Sequence, residues 1–111
     1  MDNIETNRIE NKEQLNEDFE QEVIAFLNYK EGGIIYVGIR KNAQVVGVQD
    51  TDLTQLQIKD RIKNNIQPST LGLFDVIVET IDNKEVIKVV ISSGTEKPYY
   101  LRKKGRTPEG C

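Results

Sequence analysis

The sequence predicts a small α+β domain in which two helices pack on a mainly antiparallel sheet, in the order β-α-β-β-α-β-β. Three observations lead to this prediction. Two segments carry apolar residues at helical spacing, several short segments are rich in β-branched residues, and short polar turns separate them. The 111 residues are enough for one modest core and too few for two, so we expect a single domain over residues 1–111.

The first half of the chain contains a strand, a helix and a second strand. Residues 8–11 are predicted to form a short edge strand. Four apolar residues then recur at four-residue spacing: Leu15, Phe19, Val23 and Leu27. This spacing predicts an amphipathic helix over residues 16–29. Gly32 and Gly33 end that helix, and the β-branched segment 34–39 follows as a buried strand.

The middle of the chain contains a predicted hairpin and a second helix. A turn at residues 41–44 leads into a strand at residues 45–48, which would pair with the strand before it. Residues 50–52 provide side chains that can cap a helix, and Pro68 ends that helix. The apolar side of the second helix consists of Leu53, Leu56, Ile58, Ile62 and Ile66.

The last third of the chain is predicted to be extended. Residues 74–81 and 85–92 form a second hairpin, which is closed by the polar turn at residues 82–84. Residues 97–104 continue either as a further strand or as a basic arm.

Composition excludes several classes of function. The chain has no histidine, which removes His-based nucleophilic catalysis and His–Cys zinc sites. Cys111 is the single cysteine, so no disulfide can form within the chain. No apolar run approaches the roughly 20 residues that span a bilayer, and the acidic start does not resemble a secretory signal. We therefore expect a cytoplasmic protein with no cofactor, no bound metal and no membrane partner.

Charge is distributed unevenly along the chain, although the formal net charge is only −3. Residues 1–22 contain eight acidic and two basic residues, whereas residues 97–106 contain five basic residues and no acidic one. Basic side chains attract phosphates, and interleaved tyrosines can stack on bases or contact sugars. The predicted nucleic-acid contacts are Lys41, Lys97, Tyr99, Tyr100, Arg102, Lys103, Lys104 and Arg106. The alternative interpretation of this tract is a solvated edge strand with lysines that prevent aggregation.

Two other patterns give weaker indications. Gly32 and Gly33 do not form a phosphate-binding loop, because such loops run from strand to helix and these glycines run from helix to strand. Glu5 and Glu10, with Asp2 nearby, are candidate carboxylate ligands for Mg²⁺ or Mn²⁺ in phosphodiester hydrolysis. Their five-residue spacing is unspecific, and acidic faces are usually solvated surface.

A set of motifs in a fixed order resembles the Schlafen/AlbA-like DNA-binding domain. The motifs are Glu5-x3-Ile9-Glu10-x-Lys12, Ile24-Ala25-Phe26-Leu27-Asn28, Glu31-Gly32-Gly33, Ile35-Tyr36-Val37-Gly38-Ile39, Val46-Gly47-Val48, Ile62-x3-Ile66-x-Pro68 and Lys97-Pro98-Tyr99-Tyr100-Leu101. The resemblance covers nearly the whole chain. It implies a DNA-binding module of a bacterial transcriptional regulator, in which this domain is an N-terminal fragment of a longer protein. Members have also been labelled divergent AAA domains, but both Walker elements of an ATPase are missing here.

The resemblance also implies an alternative function, because eukaryotic Schlafen relatives include RNA endonucleases with an acidic triad. Glu5 and Glu10 match two members of the triad, but Arg40 and Lys41 stand at the place of the third. Asn11 also stands where the family has a phenylalanine, between the glutamate at position 10 and the lysine at position 12. We therefore expect no enzyme activity and retain a metal-dependent RNA nuclease as the alternative. A third hypothesis is a dimerisation or partner-binding module in which exposed edge strands pair between two copies.

Overall fold

The computed structural model describes residues 8–102 of the chain. Within this range six strands and two helices follow one another: β1 Ile9–Lys12, α1 Phe19–Asn28, β2 Gly33–Val37, α2 Thr51–Asn65, β3 Ile66–Gln67, β4 Phe74–Ile81, β5 Lys84–Ile91 and β6 Tyr100–Leu101. Four strands form one sheet in the order β1-β2-β5-β4, and β3 pairs with β6 in a separate two-stranded ribbon. The predicted α+β class is confirmed.

The sheet is mainly antiparallel, as the sequence predicted. β5 lies between β2 and β4 and pairs antiparallel with both. β1 is added at the edge of β2 in the parallel direction, with Ile9 opposite Ile34 and Lys12 opposite Val37. β1 and β2 are joined through α1, which is the helical crossover that a parallel pair requires.

Both helices pack on one face of this sheet and bury a single main core. The core consists of alternate residues of β2 and β5 together with the inner faces of α1 and α2. Its members include Phe19, Val23, Leu27, Ile35, Val37, Ile58, Ile62, Ile87 and Val89. A smaller cluster around Tyr36, Ile39 and Val86 lies on the other face of the sheet. The helical spacing of the apolar residues in α1 therefore predicted its buried side correctly.

The two turns with the clearest sequence signals form as expected. Asp50 caps α2, because its carboxylate accepts a hydrogen bond from the Leu53 N–H at 3.0 Å. Asp82 and Asn83 both adopt positive φ angles, of 52° and 63°, which is the backbone of a two-residue hairpin turn. β4 and β5 therefore pair along their whole length, from Phe74 opposite Ile91 to Ile81 opposite Lys84.

The predicted strand at residues 45–48 is wrong. The expected turn does form, with the Arg40 N–H donating to the Gln44 carbonyl at 2.8 Å, but it leads only to an isolated bridge between Ile39 and Val45 and not to a strand. Gly38 and Gly47 have φ angles of +108° and +84°, which extended L-residues do not adopt. The chain therefore folds back over the end of β2, and the Val48 N–H donates to the Glu85 carbonyl at 2.7 Å.

The predicted apolar side of α2 is wrong in part. Ile58 and Ile62 are fully buried against the sheet, whereas Leu53 and Leu56 are 51% and 65% exposed. At 100° per residue, the two leucines lie on the side of the helix opposite the two isoleucines. Ile66 is buried but belongs to β3, which the sequence did not predict.

The Gly32–Gly33 turn allows α1 to pack closely on the sheet. Gly32 has a φ angle of +67°, and its N–H donates to the Tyr29 carbonyl at 3.1 Å. A Cβ atom on Gly33 would overlap the ring of Phe26, which lies directly over the backbone at this position. The turn therefore requires glycine at both positions. Gly32 adopts a positive φ angle, and Gly33 leaves room for the Phe26 ring.

A polar network joins the two helices at the edge of the core. The Arg61 Nε donates to Glu20 Oε2 at 2.7 Å, and the Asn65 amide donates to the same oxygen at 2.8 Å. The Arg61 guanidinium also lies 5.3 Å from the centre of the Phe19 ring. Burial raises the pKa of Glu20, but the hydrogen bonds from Arg61 and Asn65 outweigh it and hold that pKa below its usual value.

Replacing Gly33 with alanine should destabilise the fold by about 2–3 kcal/mol, because the new methyl group displaces the Phe26 ring. Urea unfolding measures the change. The control is Gly72→Ala, which also removes a glycine but has no atom within 4 Å of the new Cβ and a φ angle of +79°. This control should cost only about 1 kcal/mol through backbone strain. Equal losses in the two variants would contradict the close packing at Gly33.

Replacing Glu20 with glutamine should lower stability at pH 7 by about 1–2 kcal/mol, because a charge-assisted contact with Arg61 becomes neutral. A lowered pKa means that the stabilisation is present above the usual glutamate value and lost as the pH falls through the folded value. Urea unfolding should therefore find a larger difference between wild type and variant at pH 7 than at pH 3. Glu17→Gln, at an exposed carboxylate before α1, is the control. A difference of the same size at both pH values would exclude this role for the Glu20 charge.

Candidate nucleic-acid interface

The segment after β5 returns to the end of α1 and is fixed there by one amide side chain. The Tyr99 N–H donates to Asn28 Oδ1 at 2.7 Å, and Asn28 Nδ2 donates to the Tyr99 carbonyl at 3.1 Å. The Gly94 N–H also donates to the Leu27 carbonyl at 2.7 Å. The last turn of α1 therefore determines the position of the segment that continues into β6.

Tyr99 is a core residue rather than an exposed aromatic. Only 3% of it is exposed, and its phenol oxygen accepts the N–H groups of Thr95 and Glu96 at 3.1 and 3.2 Å. Its ring also lies over Gly94, where a Cβ atom would overlap it. The expected stacking of Tyr99 on a base conflicts with this burial, because the ring has no face available to a ligand. The interleaving of tyrosines with lysines in the sequence could not distinguish a buried ring from an exposed one.

Exposed cationic and aromatic side chains surround the C-terminal end of α2. β6 pairs with β3, so Tyr100 lies opposite Gln67 and is 54% exposed. The Arg102 N–H donates to the Asn65 carbonyl at 2.8 Å, which brings the guanidinium to the last turn of the helix. Lys63 lies in that same turn and is exposed. We call this surface the basic end and define it as Lys63, Tyr100 and Arg102, together with Lys97, which is exposed in the segment that leads to β6.

Lys63 was not among the candidates from the sequence. The available signal was a basic residue in the last turn of a helix that a nearby proline ends. The sequence did not predict the pairing of β3 with β6, and it is this pairing that places Arg102 beside the last turn of α2. Three of the predicted contacts, Lys103, Lys104 and Arg106, lie outside the described residues.

Lys41 does not join the basic end. It follows β2, whereas Lys97 follows β5, and these two strands are antiparallel, so the two lysines lie beyond opposite ends of the sheet. The Lys41 ammonium forms an ion pair with the carboxylate of Glu10. A cation therefore neutralises the acidic residue that the nuclease interpretation would use as a metal ligand.

Other cations at the Lys41 end of the sheet are also paired with carboxylates. Lys12 is buried and lies 2.9 Å from Glu22 Oε1, and Arg40 Nε lies 3.3 Å from Glu13 Oε1. Burial raises the pKa of Glu22, although the ammonium of Lys12 opposes this change. Within residues 8–102, no group of three or more His, Cys, Asp or Glu side chains could hold a metal ion. Glu5 lies outside this range.

An open groove of about 840 Å³ lies at the same end as Lys41, beside the start of α2. Its apolar floor includes Val37 and Val48, and its rim carries the carboxylates of Glu13, Asp50 and Glu85 with the ammonium of Lys84. This net negative rim disfavours a phosphate ligand. The two ends of the sheet therefore differ in character, because the acidic groove lies at one end and the cations of the basic end lie at the other.

A comparison with protein families matches residues 5–108 to the family described as Schlafen, AlbA_2. The chain belongs to the Schlafen AlbA_2 family. The resemblance that the sequence motifs indicated is confirmed over nearly the whole length of this domain. No curated protein sequence matches the chain. No helix among residues 8–102 is long and apolar enough to cross a membrane.

Solved structures share the fold of this AlbA_2 domain. The N-terminal domain of a RecG-related protein from Nitrosomonas europaea, named for an ATP-dependent DNA helicase, has a TM-score of 0.72 at 23% identity. That match covers 92% of this chain and 74% of the other. The DIP2311 protein of Corynebacterium diphtheriae has a TM-score of 0.62 at 19% identity over 82% of this chain. The AlbA_2 domain spans only 18% of that protein's chain.

Replacing Asn28 with alanine should destabilise the domain by about 2 kcal/mol, because two backbone groups of Tyr99 lose their partner. The amide of Tyr99 should also exchange its hydrogen faster than in the wild type. Urea unfolding and hydrogen exchange measure the two effects. Asn64→Ala is the control, because that exposed amide bonds only to Asp60 of the same helix. Unchanged exchange at Tyr99 in Asn28→Ala would contradict the anchoring role of Asn28.

Proposed function

We propose that this domain is the DNA-binding module of a bacterial transcriptional regulator and that the basic end contacts the phosphate backbone. The observation that carries the proposal is the group of exposed cations at the C-terminal end of α2 and in the segment that leads to β6. Lys63, Lys97 and Arg102 form no ion pair within residues 8–102. Their charges are therefore available to phosphates, unlike those of Lys12, Arg40 and Lys41.

The geometry of the basic end supports backbone contact more than base recognition. The main chain of Arg102 is held by the Asn65 carbonyl, and its guanidinium lies 3.5 Å from the Asn64 carbonyl, so its charge starts from the last turn of α2. Tyr100 can stack on an unpaired base or pack on a sugar, because its ring is exposed on the ribbon. Phosphate contacts determine register and orientation but carry no sequence information. We therefore expect modest sequence specificity from this domain.

The comparisons are consistent with this proposal without specifying the ligand. The name of the Nitrosomonas europaea protein refers to a DNA helicase, and the structurally similar part is its N-terminal domain. The RNA nuclease alternative lacks comparable support, since Glu10 is paired with Lys41. RNA binding without cleavage remains the competing outcome of a binding experiment.

Replacing both Lys63 and Arg102 with alanine should weaken binding to duplex DNA. Each phosphate contact that is lost should also flatten the slope of log affinity against log salt by about 0.9. Fluorescence anisotropy with labelled duplex DNA, single-stranded DNA and RNA over a salt series measures both effects. A second variant, in which Arg102, Lys103 and Lys104 become alanine, tests the tract that continues beyond the described residues.

The matched control is the double variant Arg40→Ala/Lys84→Ala, which removes two exposed cations from the opposite end of the sheet. It has the same net charge as the Lys63/Arg102 variant, so a general loss of positive charge would weaken the DNA binding of both variants equally. Equal affinities and salt slopes in the two double variants would refute the basic end as the interface. Tighter binding to RNA than to either DNA would reassign the ligand.

A further inference from the structure

The outer face of α2 carries two exposed leucines on a single line. Leu53 and Leu56 lie on the side of the helix directly opposite the buried Ile58 and Ile62. Asp60 and Lys63 continue the same line toward the C-terminal end, at the spacing of three and four residues that keeps side chains on one face. We call this line the outer stripe of α2. Neither helix α1 nor the sheet covers it in the described part of the chain.

Charge along one flank of the outer stripe changes sign from one end of α2 to the other. Asp52 lies in the first turn, whereas Lys59 lies two turns later on the same flank of the outer stripe. Neither residue has an ion-pair partner within residues 8–102. The two lie too far apart along one helix to pair with each other. A partner helix that runs in the opposite direction would offer a lysine to Asp52 and an aspartate to Lys59.

We propose that the outer stripe of α2 is the contact surface of a homodimer in which two α2 helices pack antiparallel about a two-fold axis. An axis between residues 55 and 56 places Asp52 against Lys59 of the other copy, and the symmetry repeats that pair. The same axis brings the two leucines of each copy together in the centre. The face is thus complementary to itself in apolar surface and, at Asp52 and Lys59, in charge, and the occupant is a second copy of this chain.

An alternative route to a dimer, through the free edge of the sheet, fits the sequence of β4 less well. β4 carries Asp75 and Glu79 on one face, on either side of Ile77. A symmetric pair of β4 strands centred on Ile77 would set Asp75 of one copy against Glu79 of the other, and like charges in this arrangement repel. Acidic residues on an edge strand disfavour pairing, although Glu79 also lies 3.6 Å from the Lys88 ammonium on β5. The exposed apolar surface on α2 has no such protection.

The contact is small, so the dimer is weak. Two leucines from each copy bury far less than the roughly 800 Å² per partner of a standard interface. Dimerisation is therefore concentration-dependent, and sedimentation equilibrium of the full chain from about 10 µM to about 1 mM covers the expected range. The weight-average mass should rise from the monomer value toward twice that value. A mass that stays monomeric over the whole range overturns the proposal.

A substitution in the outer stripe tests whether its leucines form the dimer contact. Leu56→Lys should remain monomeric at concentrations at which the wild type associates. Leu71→Lys is the matched control, because Leu71 is 80% exposed but lies in the turn between β3 and β4. Circular dichroism checks that both variants fold. An equal loss of association in the two variants would mean that the outer stripe has no specific role.

Exchange of the two charges tests the antiparallel arrangement. Asp52→Lys alone places two lysines against each other at both symmetric contacts, and Lys59→Asp alone places two aspartates there. Each variant should therefore be monomeric, with association weakened at least tenfold. A mixture of the two should form a heterodimer, because both contacts then join a lysine to an aspartate. A mixture that associates no better than its components refutes this arrangement, even if the wild type dimerises.

Discussion

The two hydrogen bonds between the Asn28 amide and the backbone of Tyr99 connect the parts of this fold that lie far apart in sequence. Asn28 ends α1, and Tyr99 immediately precedes β6. Through them the first helix determines where β6 meets β3, and β3 continues directly from α2. The positions of Tyr100 and Arg102 therefore depend on a side chain more than 70 residues away. A neutral amide suits this task, because it donates and accepts at once and carries no charge into a partly buried site.

Local sequence signals predicted the elements whose geometry is determined locally. The period of α1, the Asp50 cap and the turn at Asp82 and Asn83 each follow from residues within a few positions of one another. The predictions that were wrong depend on contacts across the fold. Tyr99 is buried because its backbone bonds to Asn28 and its ring packs over Gly94. Leu53 is exposed because only the opposite side of α2 packs on the sheet. Residues 45–48 do not form a regular strand because Gly47 within them and Gly38 opposite them both have positive φ angles.

The net charge of the chain gave little information about the candidate interface. The ion pairs in the structure are more informative, because they show which cations are neutralised. The cations near β1 and β2 are neutralised by carboxylates, so their number does not translate into attraction for phosphates. The uneven charge along the sequence indicated the basic tract but could not identify Lys63, which is distant from it in sequence. In the proposed dimer the two C-terminal ends of α2 point outward and lie roughly 30 Å apart, given the rise of 1.5 Å per residue. That separation is close to one turn of duplex DNA, about 34 Å.

The two-residue turn at Asp82 and Asn83 also bears on the order in which the sheet assembles. β4 and β5 are neighbours in sequence, so their pairing closes a small loop, and isolated hairpins of this kind form in roughly 1–10 µs. β2 reaches β5 only after a loop of more than 45 residues closes, which carries a larger entropic cost. We therefore expect the hairpin to form before β2 joins it. Changes at the turn would then chiefly alter the folding rate.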